Sequence, residues 1–231
     1  MNKLFGFFDK AYVINLDSRP DRLERISKRL RHIPIEFERF PAIRPTSLDG
    51  FTNLGYHGAT LSHLALWKHI QISGVPNALI FEDDAIFRDD LNKQMERVVE
   101  QLPRIEWDIL YLGLRLISGS THVSPNLCSF RKGCHLHAYA INSRSVGVLV
   151  KLIDNALQSS KRRRVVDLVL SAAQSITKVH TNPLLAVQSI SPSDTGGAVS
   201  RLHEYFSKFP EDDFLAHCLE LREMKKQYNA P

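Results

Sequence analysis

Apolar and polar positions along this chain switch repeatedly between a strand-like and a helical period. Ala11 to Leu16 (AYVINL) is a short apolar run of strand type, closed by the polar cluster Asp17-Ser18-Arg19-Pro20. From Asp21 to Leu30 the residues Leu23, Ile26 and Leu30 fall at helical spacing, with Asp17 or Ser18 as cap and Pro20 in the first turn. Ile35 to Phe40 alternates as a half-exposed strand, and a loop rich in Pro, Gly, Ser and Thr runs from Pro41 to about His57. A helix is predicted over Gly58 to Ile72 and stopped by Gly74 and Pro76. Ala78 to Phe81 is a continuous apolar strand, Leu91 to Leu102 an amphipathic helix, and Asp108 to Gly113 (DILYLG) another buried strand. The stretch from about Arg115 to Gly133 reads as a long polar loop, a length that points to a functional role. Beyond it come a strand at His137 to Ile141, helices at Ser143 to Leu157 and Val166 to Ile176, and a strand at Leu184 to Ile190. Two more helices are predicted near Val199 to Phe206 and Asp212 to Gln227, after a Ser/Gly loop at Ser191 to Gly197.

Strands alternating with helices imply an α/β fold: a mostly parallel sheet with helices on both faces. Ligands of such sheets bind beyond the carboxyl ends of the strands, so the loops after Leu16, Glu82, Gly113 and Asn142 form the expected functional edge. With 231 residues, 43% hydrophobic and 24% charged, the chain suits one globular domain and excludes a disordered or fibrous class. No apolar run approaches the ~20 residues of a membrane span.

The segment Leu79 to Phe87 (LIFEDDAIF) carries the chemistry. Three consecutive carboxylates, Glu82, Asp83 and Asp84, sit between two apolar runs at the end of a strand. Repulsion and desolvation make that placement costly unless a cation neutralises it. Mg²⁺ and Mn²⁺ take carboxylate oxygens and share their shell with substrate phosphates. A solvated turn whose acids cap the next helix accounts for the same residues, so residue chemistry alone leaves both readings open.

Seven segments, in order, widen the pattern: VINLDSRPDRLERI, GATLSHLALWKHI, ALIFEDDAIF, WDILYLG, HAYAINSRSVGVLV, VVDLVL and PLLAVQ. Together they resemble glycosyltransferase family 25, which includes lipopolysaccharide galactosyltransferases and the collagen galactosyltransferase catalytic domain. The resemblance runs from about Tyr12 to Asp194. It implies a GT-A type, Rossmann-like fold in a single domain over residues 1–231, with about 199–231 as a helical extension. It also implies a UDP-sugar donor, inversion at the anomeric carbon and dependence on Mn²⁺ (or Mg²⁺). Glu82 and Asp84 match the family's D-x-D-like metal positions, while Asp83 is expected to orient the ribose or the second shell. Asn15, Arg19 and Arg22 follow the first strand, where the resemblance places uridine and diphosphate, and arginine suits bidentate phosphate contacts. Ser62 and His63 match the family's S-H helix and join the donor-binding candidates, with a packed helix histidine the alternative for His63, although Gly58-Ala59 stands where the family has Gly-Cys. Asp167, in the V-D-x-x-L segment, is the candidate base, with Asp194 its rival and helix capping the bland account of both. Some relatives carry a histidine near Ser191 that this chain lacks, which leaves His137 and Gln188 as replacements; Gln188 joins the donor-binding set.

The formal charge of +5 invites a nucleic-acid reading, but no recognised module accompanies it. The basic block Lys161 to Arg164 instead suits an anionic glycan, lipid-linked or not, or a peripheral contact with a membrane surface. Cys128, Cys134 and Cys218 form no C-x-x-C pair, and the N-terminus has no signal-peptide pattern, so a cytoplasmic location is expected. Cys134 and His135 read as a buried thiol beside a loop histidine. Two other classes fit the same carboxylates: a metal-dependent nucleotide-sugar phosphohydrolase, and a glycan-binding relative without catalysis.

Overall fold

A computed structural model describes residues 7–31, 36–159 and 164–189. Two crossovers open the chain. Strand β1 (Lys10–Asn15), helix α1 (Pro20–Leu30) and strand β2 (Phe37–Pro41) are followed by α2 (Leu54–Ser73) and β3 (Asn77–Glu82). Strand β1 pairs in parallel with both β2 and β3, as strands joined through helices must. The short β4 (Ala85–Phe87) and helix α3 (Leu91–Gln101) precede the long β5 (Ile109–Ser118). Then come β6 (Thr121–Ser124), β7 (Leu127–Ser129), β8 (Lys132–Asn142), α4 (Ser143–Gln158), α5 (Val166–Ala172), β9 (Lys178–Thr181) and β10 (Ala186–Gln188).

Eight strands form the main sheet in the order β2-β1-β3-β8-β5-β9-β7-β6. Six of them point the same way; β8 and β7 are reversed. Alternate strand residues face opposite layers, so each strand feeds two cores. Val13, Leu79, Phe81 and Leu110 pack with α1 and α3 through Ile26, Met95 and Val98. Tyr12, Ile80, Tyr111 and Tyr139 pack with α2, α4 and α5 through Trp67, Val146 and Leu170. Helices therefore cover both faces, as the alternation implies.

Several expectations change. The predicted polar loop from Arg115 to Gly133 is strand for most of its length: β5 runs on to Ser118, and β6 and β7 follow. Its polar residues alternate along edge and half-exposed strands, which hides them from composition-based reading. Because β8 runs antiparallel to β3, Asn142 sits opposite Asn77 at the far end of the sheet. The loop after Asn142 is thus removed from the functional edge, and the start of β8 takes its place. Helix α2 begins at Leu54, inside the predicted loop, because the Asn53 side chain accepts the Tyr56 N–H at 2.8 Å and caps it. Helix α1 has no side-chain cap: neither Asp17 nor Ser18 serves, and Asp17 pairs with Arg39 instead. Helix α5 ends at Ala172, and β9, which the pattern missed, follows it. The last predicted strand is the short β10, paired with β4 outside the main sheet. The predicted helices beyond residue 190, Cys218, Asp194 and Lys161 to Arg163 lie outside the described residues.

Candidate functional site

The carboxyl ends of β1 and β3 meet in register, Ile14 beside Glu82, and open onto a cleft of about 260 Å³. Its floor is Glu82, Asp83 and Asp84; Asn15, Arg22, His63 and Gln188 stand around them. The outer wall is apolar, built from Ile14, Leu16, Ala42, Ile43, Pro45 and Leu54. Two constraints hold that wall against α2. A Cβ on Gly58 would lie 2.7 Å from the Ile43 carbonyl and 3.0 Å from the Pro45 ring, so only glycine admits this approach. Ser62 donates to the Gly58 carbonyl at 2.6 Å and accepts from the Ile43 N–H at 2.8 Å. Its hydroxyl is occupied in joining loop to helix, and it forms the cleft wall in that way.

Asp83 is buried and held from two sides. The Asn15 amide donates to it at 2.7 Å, and the Arg22 guanidinium pairs with it at 3.3 Å. Burial still dominates and pushes its carboxyl upward, against those two partners and with the charge of Glu82. Asn15 is itself fixed: its carbonyl oxygen accepts from Arg39 at 3.0 Å and its amide also reaches the Arg19 carbonyl at 3.0 Å. That arrangement leaves Asn15 and Arg22 anchoring the acid. The Arg19 guanidinium bonds the exposed Asp21 at 2.9 and 3.0 Å and is not among the residues lining the cleft.

Asp84 differs from Asp83. One oxygen accepts from Gln188 at 3.1 Å, while Oδ1 is buried with no hydrogen-bond partner among the described residues. Burial, then the neighbouring Glu82 and Asp83, push its carboxyl up to about 7. The pairing of β4 with β10 sets Gln188 opposite Ala85, and the Ser189 N–H donates to the Asp84 carbonyl at 2.8 Å, so this small sheet holds the acid in place. A desolvated carboxylate with an unused oxygen, beside a second carboxylate, suits a hard divalent cation. Among the described residues no group of three His, Cys, Asp or Glu side chains converges as a metal cage. Mg²⁺ and Mn²⁺ need none, since one or two carboxylates complete their shell with water and substrate phosphate.

Glu82 is engaged on one side by His63, whose Nε2 lies 3.0 Å from Oε1. Burial is the largest influence and opposes its ionisation, but the His63 hydrogen bond together with the electrostatic pull of His63, His137 and His135 holds Glu82 below the ordinary carboxylate range. His63 thus spends its Nε2 on Glu82 while it also lines the cleft. Its Nδ1 lies 2.8 Å from the Tyr139 hydroxyl, which also accepts from Trp67 Nε1 at 2.9 Å. Trp67 and Tyr139 are both fully buried, and the contact between their polar ends is not legible in the local sequence pattern.

Two histidines from the start of β8 complete the edge. His137 is buried, and neither ring nitrogen makes a well-formed hydrogen bond among the described residues. Burial first, and then His135, push it down to about 4. The ring fits only because position 113 is glycine: a Cβ there would lie 2.3 Å from His137 Nε2 and 2.3 Å from the Ala186 carbonyl. His135 has φ of 77° and donates its backbone N–H to Asp167 at 3.2 Å. Asp167 thus stands in the first turn of α5, against β8, and is not among the residues lining the cleft. Arg164 spans to the Asp49 and Ser159 carbonyls at 2.7 Å each and joins those two segments. Cys128 and Cys134 are buried and unpaired with each other. No described helix is long and apolar enough to cross a membrane.

The profile of glycosyltransferase family 25, described as LPS biosynthesis protein, matches residues 8–156. The chain is 30% identical over 134 residues to the human inactive glycosyltransferase 25 family member 3, covering 48% of this chain and 22% of that protein. It is 28% identical over 140 residues to a probable inactive member 3 from Rattus norvegicus, covering 51% and 24%. To procollagen galactosyltransferase 1-A of Xenopus laevis it is 28% identical over 129 residues, covering 46% and 21%. The chain thus spans less than a quarter of the length of these curated relatives. Among solved structures, mannose-1-phosphate geranyltransferase from Thermus thermophilus aligns with a TM-score of 0.42 at 11% identity, over 88% of this chain and 79% of that one.

Proposed function

The chain belongs to glycosyltransferase family 25, and from that premise we propose that it transfers a hexose from a UDP-sugar to a glycan acceptor. One observation carries the reading: the unpartnered, buried oxygen of Asp84 on the floor of a cleft whose opposite wall is apolar. A nucleoside diphosphate supplies what each end lacks. Its flat base suits the wall of Ile14, Ala42, Ile43 and Pro45, and its phosphates suit a divalent cation at Asp84 and Glu82.

Mn²⁺ or Mg²⁺, when bound, would neutralise the charge that develops on the departing diphosphate. The protein's part is positional. Gln188 and the β4–β10 pair orient Asp84, His63 orients Glu82, and Asn15 and Arg22 orient Asp83 toward the ribose side. Inversion needs a base on the acceptor side. Asp167 and Asp194 are the candidates. Asp167 offers a carboxylate whose Oδ1 makes no hydrogen bond among the described residues, at the sheet edge that also carries Glu82. Galactose is the proposed sugar, by likeness to the procollagen galactosyltransferases. A lipopolysaccharide-type core is the proposed acceptor, by likeness to the family description. A cytoplasmic enzyme, touching the membrane surface through the basic block at Lys161 to Arg164, fits that role.

The similarity to members named inactive favours a second reading, a donor-binding protein without turnover. A screen of UDP-sugars with Mn²⁺, with and without acceptor glycan, separates the possibilities. Transfer to acceptor supports the proposal; hydrolysis that ignores acceptor indicates a phosphohydrolase; binding without turnover indicates the inactive class.

A further inference from the structure

A chain of buried hydrogen bonds runs from the core to the cleft: Trp67 Nε1 to Tyr139 Oη at 2.9 Å, Tyr139 Oη to His63 Nδ1 at 2.8 Å, and His63 Nε2 to Glu82 Oε1 at 3.0 Å. Its direction can be deduced from the inventory of protons. Indole Nε1 can only donate, so Tyr139 accepts there. Tyr139 has one proton left to give, and it is a fully buried phenol whose ionisation burial strongly opposes. Leaving that proton unbonded would cost about 1–3 kcal/mol, so it goes to His63 Nδ1. Nδ1 is then an acceptor, and the imidazole proton must sit on Nε2, where it donates to the Glu82 carboxylate. The opposite tautomer would set two donors against Tyr139 and leave Nε2 and the carboxylate as facing acceptors.

We propose that Trp67 and Tyr139 form a proton-ordering relay that fixes His63 as an Nε2–H donor and thereby sets the orientation of Glu82 at the cleft. Trp67 and Tyr139 are positioning residues, reaching the site only through His63. The inference deepens the donor-site reading and rests on it for the role of Glu82, but the relay itself can be seen without any ligand. A histidine held by a phenol on one side and a carboxylate on the other has one orientation and one proton position. The relay also gives a reason for a tyrosine at this point of β8, where phenylalanine would fill the same space.

The test uses the full chain labelled with ¹⁵N-histidine. Long-range ¹H–¹⁵N spectra at about pH 8, where an ordinary imidazole is neutral, read the tautomer directly. The His63 signal is identified by its loss in His63→Gln. The expected result is a single Nε2–H tautomer in the wild type, kept in Glu82→Gln, whose amide can accept or donate, and a mixed one in the Tyr139→Phe/Glu82→Gln double variant, where neither neighbour dictates the proton; both changes keep side-chain shape and so the fold. In Tyr139→Phe alone, UDP affinity measured with Mn²⁺ is expected to fall about 10- to 100-fold, the usual effect of losing a group that orients a ligand. An Nδ1–H tautomer in the wild type overturns the relay, as does a double variant that keeps the single Nε2–H tautomer, or a Tyr139→Phe protein of unchanged affinity. The assigned tautomer in a wild type that binds no UDP upholds the relay and sinks the donor reading alone.

Discussion

Replacing Asp84 by asparagine should make the protein more stable in alkaline solution while removing its cation affinity. Asp84 is 8% exposed, with one oxygen unpartnered among the described residues and two carboxylates adjacent in sequence. Its carboxyl is raised from 3.8 to about 7 by burial and by Glu82 and Asp83. A raised acid favours the folded state below the unfolded value, and that advantage disappears as pH rises through the folded value. Across the whole interval the loss is roughly 4 kcal/mol at about 1.36 per pH unit of displacement, shared in part with Glu82 and Asp83. Asparagine cannot ionise, so the stability difference between Asp84→Asn and wild type should grow by roughly 2–4 kcal/mol from about pH 4 to pH 8. The amide hydrogen it introduces is a pH-independent cost of about 1–3 kcal/mol, which the comparison across pH cancels. Urea unfolding in EDTA at both pH values supplies the measurement. A difference that stays constant, or that moves against the variant as pH rises, refutes the assignment of Asp84 as a strained, desolvated carboxylate.

Three linked outcomes follow from the same geometry. Mn²⁺ affinity of the wild type, followed by calorimetry, should fall on the order of tenfold per pH unit below about 7, because the Asp84 proton must leave before the ion enters; a flat profile contradicts this. His137, pushed from 6.5 to about 4 by burial and His135, should cost the folded state up to about 3 kcal/mol as pH falls across that window, since the unfolded chain takes the proton first. His137→Leu should therefore flatten the acid side of the stability curve, and an unchanged slope would count against it. Gly58→Ala should displace the Ile43–Pro45 wall, lowering UDP affinity together with stability by about 1–3 kcal/mol; wild-type UDP binding in that variant would show that the wall does not touch the base.

The central strands were readable because both faces of β1, β3 and β5 are covered by helices, and that burial writes continuous apolar runs into the sequence. The carboxylates at the end of β3 stood out for the opposite reason, since charge inside an apolar run demands a partner. The cap at Asn53 was also available to sequence reading as an asparagine ahead of Leu54, and would have started α2 correctly. What was illegible depends on distant pairings. Strands of three residues such as β4 and β10 acquire meaning only from each other, 100 residues apart in the chain. The reversal of β8 cannot be seen in its own residues, yet it brings His135 and His137 to the Glu82 end of the sheet and takes Asn142 to the other. The His63–Tyr139 contact joins residues 76 positions apart. Ser62, His63 and Arg19 each make hydrogen bonds to other protein atoms, a use that no local pattern of residues announces.

Asp84 and Glu82 are proposed to hold a divalent cation against a nucleoside diphosphate. The decisive experiment is calorimetric titration of UDP into the wild type and into Asp84→Ala, each with Mn²⁺ and with EDTA. Binding in the wild type that requires Mn²⁺ and disappears in a folded Asp84→Ala protein is the result expected. UDP binding that survives EDTA or the substitution would contradict it.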